Sequence, residues 1–305
     1  MLSFETFIQG LVNGFVVGSA YTLVALGLTM IFGVLRIPNF GHGNLVMLSA
    51  FVTLFISRGF CFSSVAVGYL GGTVTSLILI SLVGIISYLI MFKPVRQAPP
   101  VNVLIIAVGL YFLLEAIAIF TTKGQTLWGS VPVPWHGSVS LLGATISKQE
   151  ILLLCLTPLL ILAVYYFAYR TKAGSAMRAV AQDPLAAALV GVNEEKVMLT
   201  TFGFASALAA IAGSVIGGVP GQAITPTMAS MLTAKAFVVV ILGGLGSMSG
   251  AIIGGYLLGI VESLGAALFQ GYIPFLGKGY ADAYSFIILL VLVIMKPEGL
   301  FGERG

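Results

Sequence analysis

The chain is 305 residues long, 59% hydrophobic and only 8% charged, with a formal net charge of +4. That is about a third of the charge usual in soluble domains, and long uncharged runs recur from one end to the other. A soluble globular protein is excluded; lipid is the expected surrounding, and no nucleic-acid partner is expected.

The first ten residues, MLSFETFIQG, carry Glu5 and neither Lys nor Arg. The apolar run behind them is too long for a signal-peptide core, so no cleavable signal is expected. Uncharged runs at 8–35, 39–57, 63–92, 151–169, 197–219 and 236–261 each approach or exceed the roughly 20 residues that cross a hydrocarbon core. Residues 101–122 qualify with one interruption, Glu115, and 280–295 form a shorter last run with Asp282 near its start. The expected architecture is an all-α polytopic membrane protein of about eight transmembrane helices, one membrane domain over 1–305. Lys93, Arg96, Arg170, Lys172, Arg178 and Lys196 fall in two neighbouring loops that the positive-inside rule places in the cytoplasm. Three runs before Lys93 then leave Glu5 outside, and Arg58 fits this count least well. The loop 123–148, with Trp128, Pro132, Pro134 and Trp135, reads as an ordered outer loop or as a plain aromatic belt.

Two glycine-rich strings break the apolar pattern, FGVLRIPNFGHGN at 32–44 and GGLGSMSG at 243–250. The second repairs the parity of the C-terminal half. A short helix at 233–242 and a longer one at 251–269 bring Lys296 back to the cytoplasm; a half-helix reversing at depth fits equally. The two breaks suggest a possible inverted repeat of 8–120 against 150–297. They would then face each other near a substrate path, as in carriers whose broken helices expose backbone groups to a cargo. The candidate path residues are Asn39, His42, Gly43 and Asn44 with Gly243, Gly244, Gly246 and Ser247.

Residues 170–196 form one polar interval in this apolar landscape. Asp183 can accept backbone N–H bonds as a helix cap, and Pro184 suits the first helical position, which needs no donor. Residues 185–190 are good helix formers and Gly191 supplies a stop. Residues 174–181 fit a second short helix with Met177, Val180 and Ala181 on one face and Arg178 on another. Two short helices joined at a capped corner read as a docking element, or as an ordinary positive cytoplasmic loop.

A charge at a helix centre costs roughly 2.5–3.5 kcal/mol on insertion scales. Lys235 and Asp282 lie within about a turn of expected span ends, where snorkelling explains them. Glu115 falls in the outer half of its span. Glu262 is the most interior, either a paired or protonated side chain that holds helices together or a proton relay. His42 lacks Cys, Asp or Glu companions at metal-binding spacing, so its ring is expected to bond backbone freed by the first break, or to touch cargo. His136 is remote from it in sequence. Cys61 and Cys155 form no CxxC, and neither a metal site nor a cofactor is expected. No phosphate-binding loop occurs, because Gly277-Lys278 is followed by Gly279, so any ATP drive must come through a partner. No enzymatic nucleophile–base arrangement recurs.

The strings NFGHG (39–43), TKAGSAMRAVAQDPLAAALVGVN (171–193) and GGLGSMSGAIIGG (243–255) resemble the branched-chain amino acid ABC-importer permeases of the LivH type. The likeness runs from GSAYTLVALGLTMIFG (18–33) to LVIMKPEGLFG (292–302). Gly41 departs from it, since relatives commonly carry Ala there. The resemblance implies a permease that pairs with a second, homologous permease, two cytoplasmic ATPase subunits and an extracytoplasmic substrate-binding protein. It makes 170–196 the ATPase-coupling segment, with Lys172, Gly174, Arg178, Asp183, Pro184 and Gly191 as its marked residues. Substrate is then expected to pass between this chain and its homologous partner by alternating access. Sequences of this kind also carry urea, short amides or other neutral amino acids. A standalone channel or ion-coupled carrier, seeded by Glu262, is the reading outside the family.

Overall fold

The computed structural model describes residues 4–36, 39–59, 64–126, 131–135, 137–141, 143–220 and 223–272, with 283, 286–287, 290–291, 294–296 and 299–300 of the C-terminal segment. The helices are α1 (Phe4–Leu35), α2 (His42–Gly59), α3 (Val65–Ser87), α4 (Pro100–Thr122), α5 (Lys148–Arg170), α6 (Lys172–Gln182), α7 (Pro184–Leu189), α8 (Glu194–Ile216), α9 (Met228–Gly243) and α10 (Met248–Tyr272). Among the described residues, six helices are long and apolar enough to cross a membrane: α1, α3 with its continuation to Val95, α4, α5, α8 and α10. The expected eight is therefore not reached by that measure. At 18 and 16 residues α2 and α9 are shorter, and most of the last run, Asp282 included, lies outside the described residues, as do Cys61, Trp128, His136, Gly277 and Lys278.

The core is built around α1, which is apolar on every side and buried along most of its length. A helix hydrophobic all round belongs inside a bundle. Its glycines Gly10, Gly14 and Gly18, spaced four apart, form a flat stripe against α10. A Cβ on Gly14 would come within 2.7 Å of the Ile260 Cα, and one on Gly18 within 2.9 Å of the Tyr256 Cα. Small residues at this spacing let two backbones touch, which is how membrane helices gain dispersion contact without a hydrophobic driving force. A buried hydroxyl seam ties α2, α3 and α8: Thr53 and Ser76 lie 2.8 and 3.0 Å from Ser214, and Ser49 donates to the Ala210 carbonyl at 2.5 Å. In contrast, α3, α4 and α5 leave apolar faces exposed, including Ile78, Leu82, Ile105, Phe112, Leu162 and Tyr166, as lipid-facing helices do.

The two ends of the bundle differ in charge. At one end Gln9 bonds both backbone groups of Thr145, beside a hairpin of β1 (Ser138–Leu141) and β2 (Ala144–Ser147) that runs antiparallel with a turn at Gly143 (φ +84°). Trp135 packs edge-on against Tyr69 and donates to Gln149 at 2.7 Å, so this part of the loop is ordered. At the other end Lys93 pairs with Glu195 at 2.5 Å and Arg96 with Glu194 at 3.1 Å. Arg36 also lies there, against α6. Lys93, Arg96 and Arg36 thus lie at one end together with α6; it is called the basic end below.

The breaks differ from one another. After the basic end of α1, the chain re-enters the bundle before α2 starts, since the His42 ring lies against Gly27. Gly27 is eight residues, roughly 12 Å, above the end of α1. The second break instead turns at the basic end itself: Gly246 faces Gly33, and Leu300 N–H donates to the Leu242 carbonyl at 2.8 Å. The helix before this turn, α9, runs to the basic end and begins at Met228, earlier than the expected 233.

Candidate functional site

The polar interval folds as its capping residues dictate. The Thr171 hydroxyl accepts from Gly174 N–H at 3.0 Å to open α6, and Asp183 Oδ1 accepts from Leu185 and Ala186 N–H at 2.9 and 3.1 Å to open α7. Pro184 takes the first position of α7, and Gly191 reverses the chain at φ +86°. Gly174 is forced by a close approach, because a Cβ there would run into the carbonyls of Phe167 and Ala168 at the end of α5. Lys172 is exposed at the start of α6. Met177 and Val180 are buried under α6, and the Arg178 guanidinium lies 5.0 Å from the Tyr169 ring centre. Arg36 holds the far end of α6, donating to the carbonyls of Ala181 and Gln182 at 2.5 and 3.0 Å. A cation at a helix C-terminus meets the negative end of the macrodipole. On α7 only Ala187 turns inward; Leu185, Leu189 and neighbouring Val190 are 80%, 89% and 79% exposed.

The first break is polar and closed. Asn39 accepts from Gly41 N–H at 3.1 Å, and Asn44 Nδ2 donates to the Tyr111 carbonyl at 2.6 Å. Asn39, rather than His42, therefore binds backbone freed by the break. The His42 ring faces the Val24 carbonyl without a well-formed hydrogen bond at either nitrogen. Gly43 lies against Thr233, and Asn44 Oδ1 and Thr233 Oγ1 also lack partners among the described residues. At the second break Gly243 packs against Gly250, where α9 and α10 nearly touch. Gly244 and Gly246 take φ +101° and +84°, and Ser247 caps α10 through Gly250 N–H at 3.1 Å. The described contacts place the two breaks in different neighbourhoods: the first beside Gly27, Tyr111 and Thr233, the second beside Gly33, Gly299 and α6.

Glu262 is paired. Its carboxylate accepts from Lys235 Nζ at 2.7 Å and from the Tyr21 hydroxyl at 3.0 Å, and Lys235 also donates to the Tyr21 oxygen at 2.7 Å. This corrects the snorkelling expected of Lys235, whose side chain is 9% exposed and directed into the bundle. The signal available in sequence was the α9–α10 turn, which sets the facing sides of the two helices against each other. Three cavities border α1. One of about 690 Å³ reaches from Glu5, Gln9 and Glu150 to Glu262; one of about 310 Å³ ends on Tyr21 and Lys235. The third, about 780 Å³, opens at the basic end between Thr29, Arg36, Arg178 and Gly246. Between them Leu23, Val24, Ala25, Leu26 and Leu28 are buried, a seal of roughly 8 Å.

The family model described as "Branched-chain amino acid transport system / permease component" matches residues 10–295. The chain is 31% identical to "High-affinity branched-chain amino acid transport system permease protein LivH" of Escherichia coli (strain K12), over 98% of this chain and 97% of that one. It is 32% identical to the BraD protein of the same description from Pseudomonas aeruginosa, over 97% and 96%. Identity is 27% to "Probable branched-chain amino acid transport permease protein LivH" of Methanocaldococcus jannaschii, over 92% and 88%. Among solved structures, "PsaBC from Streptococcus pneumoniae in complex with Fab" overlays with a TM-score of 0.47 at 12% identity, covering 98% and 95%. A match across nearly the whole chain, on a bundle of apolar helices, makes this multi-pass inner-membrane protein a member of the permease-component family of branched-chain amino acid transport systems.

Proposed function

We propose that this chain is the membrane permease of an importer that carries branched-chain amino acids into the cell, driven by two cytoplasmic ATPase subunits. A second, homologous permease completes the membrane unit, and an extracytoplasmic binding protein delivers the cargo at the end that holds Glu5 and the β-hairpin. The observation that carries this reading is α7. Three large apolar side chains stand exposed on a helix pair capped at Thr171 and Asp183, at the end where the basic residues place the cytoplasm. Apolar groups held rigidly in water favour a protein partner. Chemistry at the ATPases would move α6–α7 as a unit. Arg36 passes that movement to α1, whose side chains line both the outer and the basic-end cavities. Transport then consists of opening and closing the seal at Leu23–Leu28.

The test is to solubilise the chain gently from its native membrane and identify what co-purifies. Two phosphate-loop ATPases and a second multi-span permease, with ATP-dependent leucine uptake after reconstitution, are the expected result. The chain recovered alone, still transporting without ATP, overturns the reading.

A further inference from the structure

We infer that Lys235, Glu262 and Tyr21 form a subsite for the charged ends of a zwitterionic amino acid, with the neighbouring 310 Å³ cavity taking its aliphatic side chain. The inference rests on reading the chain as an amino-acid permease. Among the described residues, this is an ion pair between two helices deep in an apolar bundle, both side chains about nine-tenths buried. Such pairs seldom stabilise a fold more than well-packed apolar residues of the same volume would. The position of the pair is informative. Glu262 forms part of one cavity wall and Lys235, with Tyr21, the end of another, and the two cavities share Val16 and Val17. Both reach toward the outer end, through Glu5 and Glu150 in one case and Val219 and Met228 in the other. Lys235 is seven residues from the start of α9 and Glu262 ten from the end of α10, so the pair sits roughly 10–15 Å below the outer helix ends.

The chemistry of the site matches its proposed occupant. An α-amino acid holds an ammonium and a carboxylate on one carbon, and the site holds a carboxylate and an ammonium in contact. Arrival of substrate exchanges partners: its ammonium takes Glu262 and its carboxylate takes Lys235, so net charge inside the membrane is unchanged throughout. The Tyr21 hydroxyl, which now accepts from Lys235 and donates to Glu262, turns its proton to the substrate carboxylate. The smaller cavity is walled by Val16, Val17, Leu153, Ile216, Met231 and Leu232. Its volume lies near the lower bound of the roughly 300–1,000 Å³ typical of small-molecule sites, and its apolar walls suit an aliphatic side chain. When the substrate leaves, the pair re-forms and prevents either charge from being stranded in lipid.

The experiment uses the co-purified complex in proteoliposomes with [³H]leucine and ATP. The double variant Lys235→Met/Glu262→Leu replaces both charges with apolar groups of similar volume. It is expected to recover with its partners yet lose leucine uptake on the order of 100-fold, as for loss of buried charge-assisted contacts. Near wild-type uptake by the double variant overturns the subsite and leaves the permease reading intact; no leucine uptake by the wild-type complex overturns both. A second measurement does not depend on the variant folding. The wild-type complex is irradiated with a diazirine analogue of leucine, and labelled peptides are mapped. Label on Val16, Val17, Met231 or Leu232 that unlabelled leucine competes away supports the site. Competable label confined to other residues overturns it.

Discussion

Arg36 and Ala181 join the first membrane helix to the coupling segment: the Arg36 guanidinium donates to the Ala181 carbonyl at 2.5 Å, and to Gln182 at 3.0 Å. The residues are 145 apart in sequence, and Arg36 itself takes φ +56°, an uncommon conformation for a side chain of this size. Both bonds leave one guanidinium nitrogen, Nη2, at a reach that the shorter lysine side chain does not match. Arg36→Ala should therefore leave the complex assembled but reduce leucine transported per ATP hydrolysed, by up to about fivefold if the contact is worth the usual helix-terminus increment of up to 1 kcal/mol. Arg36→Lys should recover only part of the loss. Parallel measurement of uptake and phosphate release decides it; an unchanged ratio in Arg36→Ala would mean the latch carries no force.

The capped corner makes a second prediction. Asp183 satisfies two N–H groups of a helix only six residues long. Loss of such a cap costs about 1 kcal/mol, a large share for so short a helix. Asp183→Lys removes the cap and sets a cation at the positive end of α7, while Arg178→Glu loses the contact with the Tyr169 ring. Both variants should reach the membrane at normal levels and fail to couple ATP hydrolysis to uptake. Full ATP-driven uptake in both would rule out the coupling assignment.

What the sequence made legible was local. The caps at Asp183 and Pro184, the reversal at Gly191 and the two helix breaks are written in residue types whose backbone chemistry acts within a few positions. Features that depend on distant contacts were not legible. Lys235, judged alone by its distance from a span end, reads as a snorkelling side chain; only the turn at 243–247 gives it Glu262. The depth at which α2 begins depends on Gly27 admitting the His42 ring, which no local pattern announces. The outer hairpin was missed for a different reason. Its alternation, SVSL and ATIS, is only four residues per strand, too short to stand out beside long apolar runs.

The glycine stripe of α1 makes a third prediction. Gly14 is where its backbone runs against Ile260, so even Gly14→Ala brings the added methyl inside van der Waals distance of a main-chain atom, and the helices must part. Overpacking of this kind typically costs 1–3 kcal/mol. Gly14→Leu should lower the yield of folded protein and its melting temperature in detergent more than Gly14→Ala does. At Gly33, where an added Cβ meets nothing within 4 Å, Gly33→Ala should melt like the parent chain. Equal melting of Gly14→Leu and the parent would show that the α1–α10 contact is not as close as described.

The buried pair supplies a fourth prediction, separate from its role toward substrate. Lys235→Met alone removes the ammonium from a Glu262 carboxylate that is about nine-tenths buried, with the Tyr21 hydroxyl still donating to it. Glu262→Leu alone leaves the Lys235 ammonium facing the same hydroxyl. Breaking a buried pair on one side typically costs 3–5 kcal/mol, whereas replacing both partners with apolar groups is often neutral. Each single variant should thus melt below the parent chain, and the double variant should melt above both singles. The sign follows from desolvation: one charge without its counter-ion is worse in a low-dielectric bundle than none. Melting curves for the four chains in the same detergent form a complete double-mutant cycle. Additive losses would mean that the two side chains act independently and that their contact at 2.7 Å contributes nothing to the fold.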